Sequence, residues 1–275
     1  MSSLEIILDW SAWQRGTGLA DRTVRERQYT LSHFFSLTNS EPLTFTDRDV
    51  IRYLGREGVA PSSKASYHSI LRSFAAWLIK TGQRVDDPLR TIPAVKRPRS
   101  LPRPVTDADL RSTIEHASRW HTRTKIMLAA LQGLRVHEIA KIAGEDFDLD
   151  AKTLRVTGKG SKTAVLPIHA DLVEVALAYP RQGFWYPSDQ TGSGHVTGQS
   201  VSTAIRRAMD RAGVSATPHQ LRHWYGTSLL HESGDVRIVQ ELMRHENIQS
   251  TQIYTKVDPE RQRDTLNNIS LPAAA

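Results

Sequence analysis

The sequence predicts a mainly helical chain of two domains joined by a linker, with one small antiparallel β-sheet. Three observations carry this. A 3.6-residue apolar stripe runs from Ser62 to Ile79. Four prolines, Pro93, Pro98, Pro102 and Pro104, interrupt residues 91–105. One alternating segment, Thr153 to Thr157, turns through Gly158-Lys-Gly-Ser161 and returns from Lys162 to Ile168.

Residues 1–90 read as a bundle of about four helices. The first, Leu4 to Trp13, carries Leu4, Ile7, Leu8 and Trp10. The second, Thr23 to Phe35, carries Val24, Tyr29, Leu31, Phe34 and Phe35. The third opens on Thr46-Asp-Arg-Asp49, a capping box in which Asp replaces Glu, and runs to Leu54. The fourth aligns Ala65, Tyr67, Ile70, Leu71, Phe74, Trp77 and Leu78. Trp10, Trp13, Phe34 and Trp77 are expected in the core of this bundle rather than as base-stacking groups.

The prolines of residues 91–105 block helix and ladder alike, so this stretch reads as an extended linker. It holds Lys96, Arg97, Arg99 and Arg103 and no acid. Such a linker either follows a phosphate backbone or is simply solvated.

The third part is residues 106–275, opening on a helix at Thr106-Asp-Ala-Asp109. A second helix is expected from Arg123 to Leu134. The hairpin follows, with Leu154, Val156, Leu166 and Ile168 on one face. Asp171 to Tyr179 is helical in pattern, and residues 187–198 read as a loop. Further helices are expected at about 199–212, 218–232, 235–243 and 248–256.

Composition narrows the class. The 275 residues hold 36 Lys/Arg against 29 Asp/Glu, a net charge of +7. The first 100 residues hold 15 basic against 10 acidic residues, and the bases are mostly arginine, which suits bidentate phosphate contact. With no cysteine, disulfides, thiolate metal sites and cysteine nucleophiles are excluded. The longest apolar runs, such as Phe74 to Ile79 and Ile126 to Leu131, have six residues, whereas a membrane helix needs ~20. Met1-Ser-Ser-Leu-Glu5 lacks the basic and apolar regions of a secretory signal, so a cytoplasmic protein is expected.

Several polar residues stand where a core pattern would not want them. Arg135 follows a Gly-Leu step between helical runs, and Lys159 sits at the tip of the hairpin turn. His219 and Arg222 share a helical face, and Tyr254 comes nine residues after His245. There is no Walker loop and no paired-carboxylate signature. The set is phosphate-clamping cations plus one oxygen nucleophile. Two guanidinium groups can hold the non-bridging oxygens of a phosphodiester and offset charge in its pentacovalent transition state. A lysine can protonate a leaving alkoxide, and an assisted tyrosine can attack phosphorus. The spacing of His219 and His223 also suits zinc, but no Glu follows His219 and no third ligand is evident.

Gly133-Leu-Arg-Val-His-Glu138, Thr157-Gly-Lys-Gly-Ser-Lys162, His219-Gln-Leu-Arg-His223 and Leu242-Met-Arg-His245 leading to Tyr254-Thr255 resemble the active-site boxes of the tyrosine recombinase, or phage integrase, family. The spacings fit: 24 residues from Arg135 to Lys159, 3 from His219 to Arg222 and 9 from His245 to Tyr254. The motifs cover residues 106–258; the N-terminal bundle is similar to the family's SAM-like core-binding domain by pattern and position alone.

The resemblance implies an N-terminal helical DNA-binding domain and an α+β catalytic domain that clamp duplex DNA. Arg135 and Arg222 would hold the scissile phosphate. Lys159 would be the general acid, with Lys162 in reserve if the turn register differs. His219 would assist as base or hydrogen-bond partner, and His245 would bond a non-bridging oxygen. Tyr254 would form a 3′-phosphotyrosine without metal, ATP or other cofactor. Glu138 would orient Arg135, or be a plain exposed helical glutamate. Lys96, Arg97, Arg99, Arg103 and Lys162 are the candidate DNA contacts outside the catalytic set.

The expected partners are double-stranded DNA attachment or crossover sites, further copies in a tetramer, and an accessory DNA-bending or directionality factor. The residues after Tyr254 would pack on a neighbouring copy or form a tail. The expected place is a bacterial host cytoplasm, at the nucleoid. A helical bundle that begins near Met1 leaves no room for an arm-type domain. This favours a compact integrase, a Xer-like resolvase or an element-borne recombinase. The competing readings are an inactive DNA-binding regulator and a type IB topoisomerase-like relaxing enzyme. The chain departs from the family pattern at Arg244, where glycine usually precedes the histidine.

Overall fold

The computed structural model describes residues 2–96, 103–158 and 162–244. It divides into two compact units, Met1–Ser100 and Leu101–Ala275.

The first unit is helical. Helices α1 (Ser3–Gly16), α2 (Asp21–Thr38), α3 (Asp47–Leu54) and α4 (Pro61–Lys80) surround an aromatic core of Trp10, Phe34, Phe45, Tyr53 and Phe74. Edge-to-face contacts dominate, such as Trp10 on Phe74 at 5.2 Å and Phe34 on Tyr53 at 5.1 Å. The capping box at α3 forms: the Thr46 amide donates to Asp49 Oδ2 at 2.8 Å. Trp10, Phe34 and Trp77 are buried as expected.

Trp13 is not a core residue; it is 41% exposed. The buried face of α1 runs through Ile6, Ile7, Trp10, Ser11 and Gln14, so Leu4, Leu8 and Trp13 fall outside it. Polar side chains can take core positions here because they are bonded. Ser11 donates to the Ile7 carbonyl at 2.8 Å, and Gln14 accepts from Arg27 at 2.8 Å.

The second unit packs seven helices against a three-stranded sheet among its described residues. The helices are α5 (Asp107–Glu115), α6 (Trp120–Leu131), α7 (Val136–Ala140), α8 (Ala170–Leu177), α9 (Gly198–Arg211), α10 (Pro218–Ser233) and α11 (Val236–Met243). The strands β1 (Phe147–Asp148), β2 (Thr153–Thr157) and β3 (Thr163–Pro167) are antiparallel in the order β1-β2-β3. Leu154 pairs with Leu166, and with Val156 they turn a buried face to the core. Ile168 packs against the same core just beyond β3.

Helix α6 starts and ends earlier than the apolar pattern implies. Gly133 takes φ +60° and turns the chain before Arg135. The two-residue strand β1 has no sequence signal because it is too short to show alternation. The helix expected at 248–256 lies outside the described residues.

Candidate active site

Three loop ends build the site. The first is the α6–α7 turn. Arg135 sits at the N-cap of α7, and its amide donates to Glu138 Oε2 at 2.8 Å. Its guanidinium meets Glu138 Oε1 at 3.1 Å. Glu138 is therefore not an exposed helical glutamate; its side chain is 1% exposed. Burial alone would raise its pKa. The positive Arg244, the Arg135 amide, and the charges of Arg135 and Arg222 outweigh that and hold it below the usual carboxylate value.

The second end is the start of α10. Pro218 occupies its first turn, and the Thr217 amide donates to Gln220 Oε1 at 2.8 Å. This fixes the helix that carries His219 and Arg222. Arg222 is 2% exposed. Its Nη1 donates to the Gly133 carbonyl and its Nη2 to the Met243 carbonyl. The latter lies at the C-terminus of α11, where a cation is favoured.

His219 reaches solvent but faces Arg222 and Arg135. Partial burial first, then those two charges, lower its pKa below the ordinary imidazole value. Its ring lies 4.4 Å from that of His223, at 68°. Burial, His219 and Arg222 lower His223 to about 4. Among the described residues no group of three or more metal-ligating side chains exists.

The third end is the hairpin. A Cβ added to Gly158 would stand 3.7 Å from Glu138 Oε1, so β2 ends against the carboxylate. The Gly158 amide donates to the Lys162 carbonyl at 2.8 Å, and the Lys162 side chain is exposed. Lys159 itself, His245 and Tyr254 lie outside the described residues, as do Arg97 and Arg99. Lys96 is exposed near the end of the first unit. Arg103 is exposed near the start of the second, where its carbonyl accepts from Gln220 Nε2 at 2.8 Å.

The structure thus brings together Arg135, Glu138, His219 and Arg222, from elements up to 87 residues apart. It adds three residues. Gln132 is 1% exposed; it donates to the Pro167 carbonyl at 2.7 Å and accepts from the His169 amide at 3.3 Å. It ties the end of α6 to the far end of the hairpin. The only signal for it is a glutamine closing an apolar run. Gly133 is pressed by Tyr225, whose ring would lie 2.3 Å from an added Cβ. Arg244 reaches Glu138 Oε2 at 2.9 Å. Tyr225 itself packs with Val239 and Met243 between α10 and α11.

The candidate site thus holds two arginines, a buried carboxylate bonded to one of them, and an imidazole whose pKa is lowered. Residues 105–261 match the model of the phage integrase family. The chain belongs to this family, the tyrosine recombinases, and is a site-specific recombinase. It is 27% identical to tyrosine recombinase XerA of Pyrococcus horikoshii, covering 97% of this chain and 94% of that protein. It is 30% identical to XerD of Listeria innocua, with 90% and 92% covered. A solved integrase from mycobacterium phage Brujita is 40% identical, with 94% and 90% covered and a TM-score of 0.52. A lambda integrase dimer bound to a COC′ core site shares the fold at a TM-score of 0.75 and 17% identity, with 91% and 97% covered. These relatives favour recombination over the regulator and relaxing-enzyme readings. Among the described residues no helix is long and apolar enough to cross a membrane.

Proposed function

We propose that this recombinase cleaves and rejoins DNA at attachment or crossover sites through Tyr254, to integrate or excise a phage or mobile element. Arg135 and Arg222 clamp the two non-bridging oxygens of the scissile phosphate. His219, neutral near pH 7, accepts the Tyr254 proton or hydrogen-bonds its oxygen. The Tyr254 Oη–P bond forms as the P–O5′ bond breaks. Lys159 protonates the leaving O5′, and His245 donates to a non-bridging oxygen. A 5′-hydroxyl of the partner strand then attacks the 3′-phosphotyrosine and releases Tyr254. The bond energy is kept throughout, so the reaction as written draws on no nucleotide. Four copies acting on two DNA sites would complete the exchange.

The observation that supports this reading best is the convergence on His219 of two arginines, one buried and one held by a buried carboxylate. Covalent trapping tests it. Wild-type protein incubated with a randomised library of nicked duplexes should yield SDS-resistant adducts enriched in one sequence. Tyr254→Phe should yield none while still binding DNA. An adduct from the Phe variant would show that Tyr254 is not the nucleophile.

A further inference from the structure

Arg244 ends α11 with φ 54° and ψ 49°, in the left-handed region. Among the described residues only Asn39 and Lys152 share a positive φ without being glycine. An arginine there costs about 1–2 kcal/mol of backbone strain that glycine would avoid. The side chain must return something, and its surroundings say what. It is 13% exposed, and its Nη2 lies 2.9 Å from Glu138 Oε2. The other oxygen of that carboxylate holds Arg135 at 3.1 Å. The carbonyl of the preceding residue, Met243, holds Arg222. Arg244 is thus one carboxylate away from one phosphate arginine and one peptide away from the other.

Its remaining donors are the telling feature. Arg244 Nε and Nη1 are buried and have no hydrogen-bond partner among the described residues. A buried donor left unpaired costs about 1–3 kcal/mol, more when charged, so such groups call for a missing acceptor. Among the described residues the carboxylate that Arg244 reaches, Glu138, already receives two arginines. An anion entering between the arginines would supply the acceptor.

We propose that Arg244 is a third guanidinium of the phosphate site, anchored by Glu138 and directing its free donors to the scissile phosphodiester. This rests on the function proposed above. Arginine at this position then exchanges backbone comfort for transition-state charge stabilisation.

The test compares single-turnover cleavage of the duplex recovered by trapping with the same duplex carrying a methylphosphonate at the scissile position, which removes the negative charge and one oxygen. Arg244→Gly suits the backbone and should fold. Its cleavage of the phosphodiester should fall by about 10²-fold, with DNA affinity within about threefold of wild type. On the methylphosphonate the deficit should shrink below about tenfold. Arg244→Lys keeps the charge but cannot serve Glu138 and the phosphate together, and should show the same substrate-dependent deficit if the glycine variant is unstable. Normal cleavage by both variants, or an equal deficit on both substrates, overturns the proposal. Absence of any adduct from the wild-type protein would instead overturn the function on which it rests.

Discussion

Arg222 shows how peptide carbonyls can seat a buried charged side chain. Its guanidinium is buried between two peptide carbonyls, from Gly133 and Met243. The position of Gly133 is therefore part of the site, although glycine has no side chain to offer. An alanine there would meet the Tyr225 ring at 2.3 Å while holding φ +60°. Left-handed strain and overpacking together should cost about 2–4 kcal/mol in Gly133→Ala. Chemical denaturation should show that loss, and strand cleavage should drop with it as Arg222 loses register. A loss below about 0.5 kcal/mol would mean that the Tyr225 ring yields freely.

At the scale of elements, α10 carries both the face that lines the candidate site and a pH-sensitive one. His223 falls to about 4 when folded, against an ordinary value of 6.5, so the unfolded chain binds more protons between those limits. Stability from this group is complete above about pH 6.5 and is lost as pH falls toward 4. His223→Asn should reduce the slope of stability against pH in that window by up to one proton. Melting curves between pH 4 and 7 measure it, and an unchanged slope would remove His223 as the source. His68, His137 and His219 are also lowered, chiefly by burial, so some slope should remain. Most elements were legible in the sequence because their signals are local. The Thr46 and Thr106 caps, the α4 stripe and the β2–β3 alternation each depend on neighbours within a few residues. The face of α1 was not, since Ser11 and Gln14 are buried only because distant or backbone partners satisfy them. Arg135, His219 and Arg222 were legible as a motif. The roles of Gln132 and Arg244 were not, because each depends on a contact across more than 30 residues.

For the whole molecule, charge sets the terms of DNA binding. A net charge of +7, with the arginine-rich excess in the first 100 residues, favours many phosphate contacts. The logarithm of the association constant should fall against log salt with a slope of about −5 or steeper. Fluorescence anisotropy with a labelled duplex at several salt concentrations measures this. A slope near zero would point to recognition without the phosphate backbone.

The carbonyl cradle of Arg222 also bears on evolutionary drift. A peptide oxygen is present whatever side chain a mutation installs, so position 243 can change its chemistry without removing that acceptor. The cradle depends on the path of the backbone, which helix packing maintains through many combinations of apolar residues. Selection therefore acts on few letters here, chiefly the arginine itself and the glycine that lets the chain turn beside Tyr225. A lineage can exchange most of its sequence and still hand the same buried cation to its descendants.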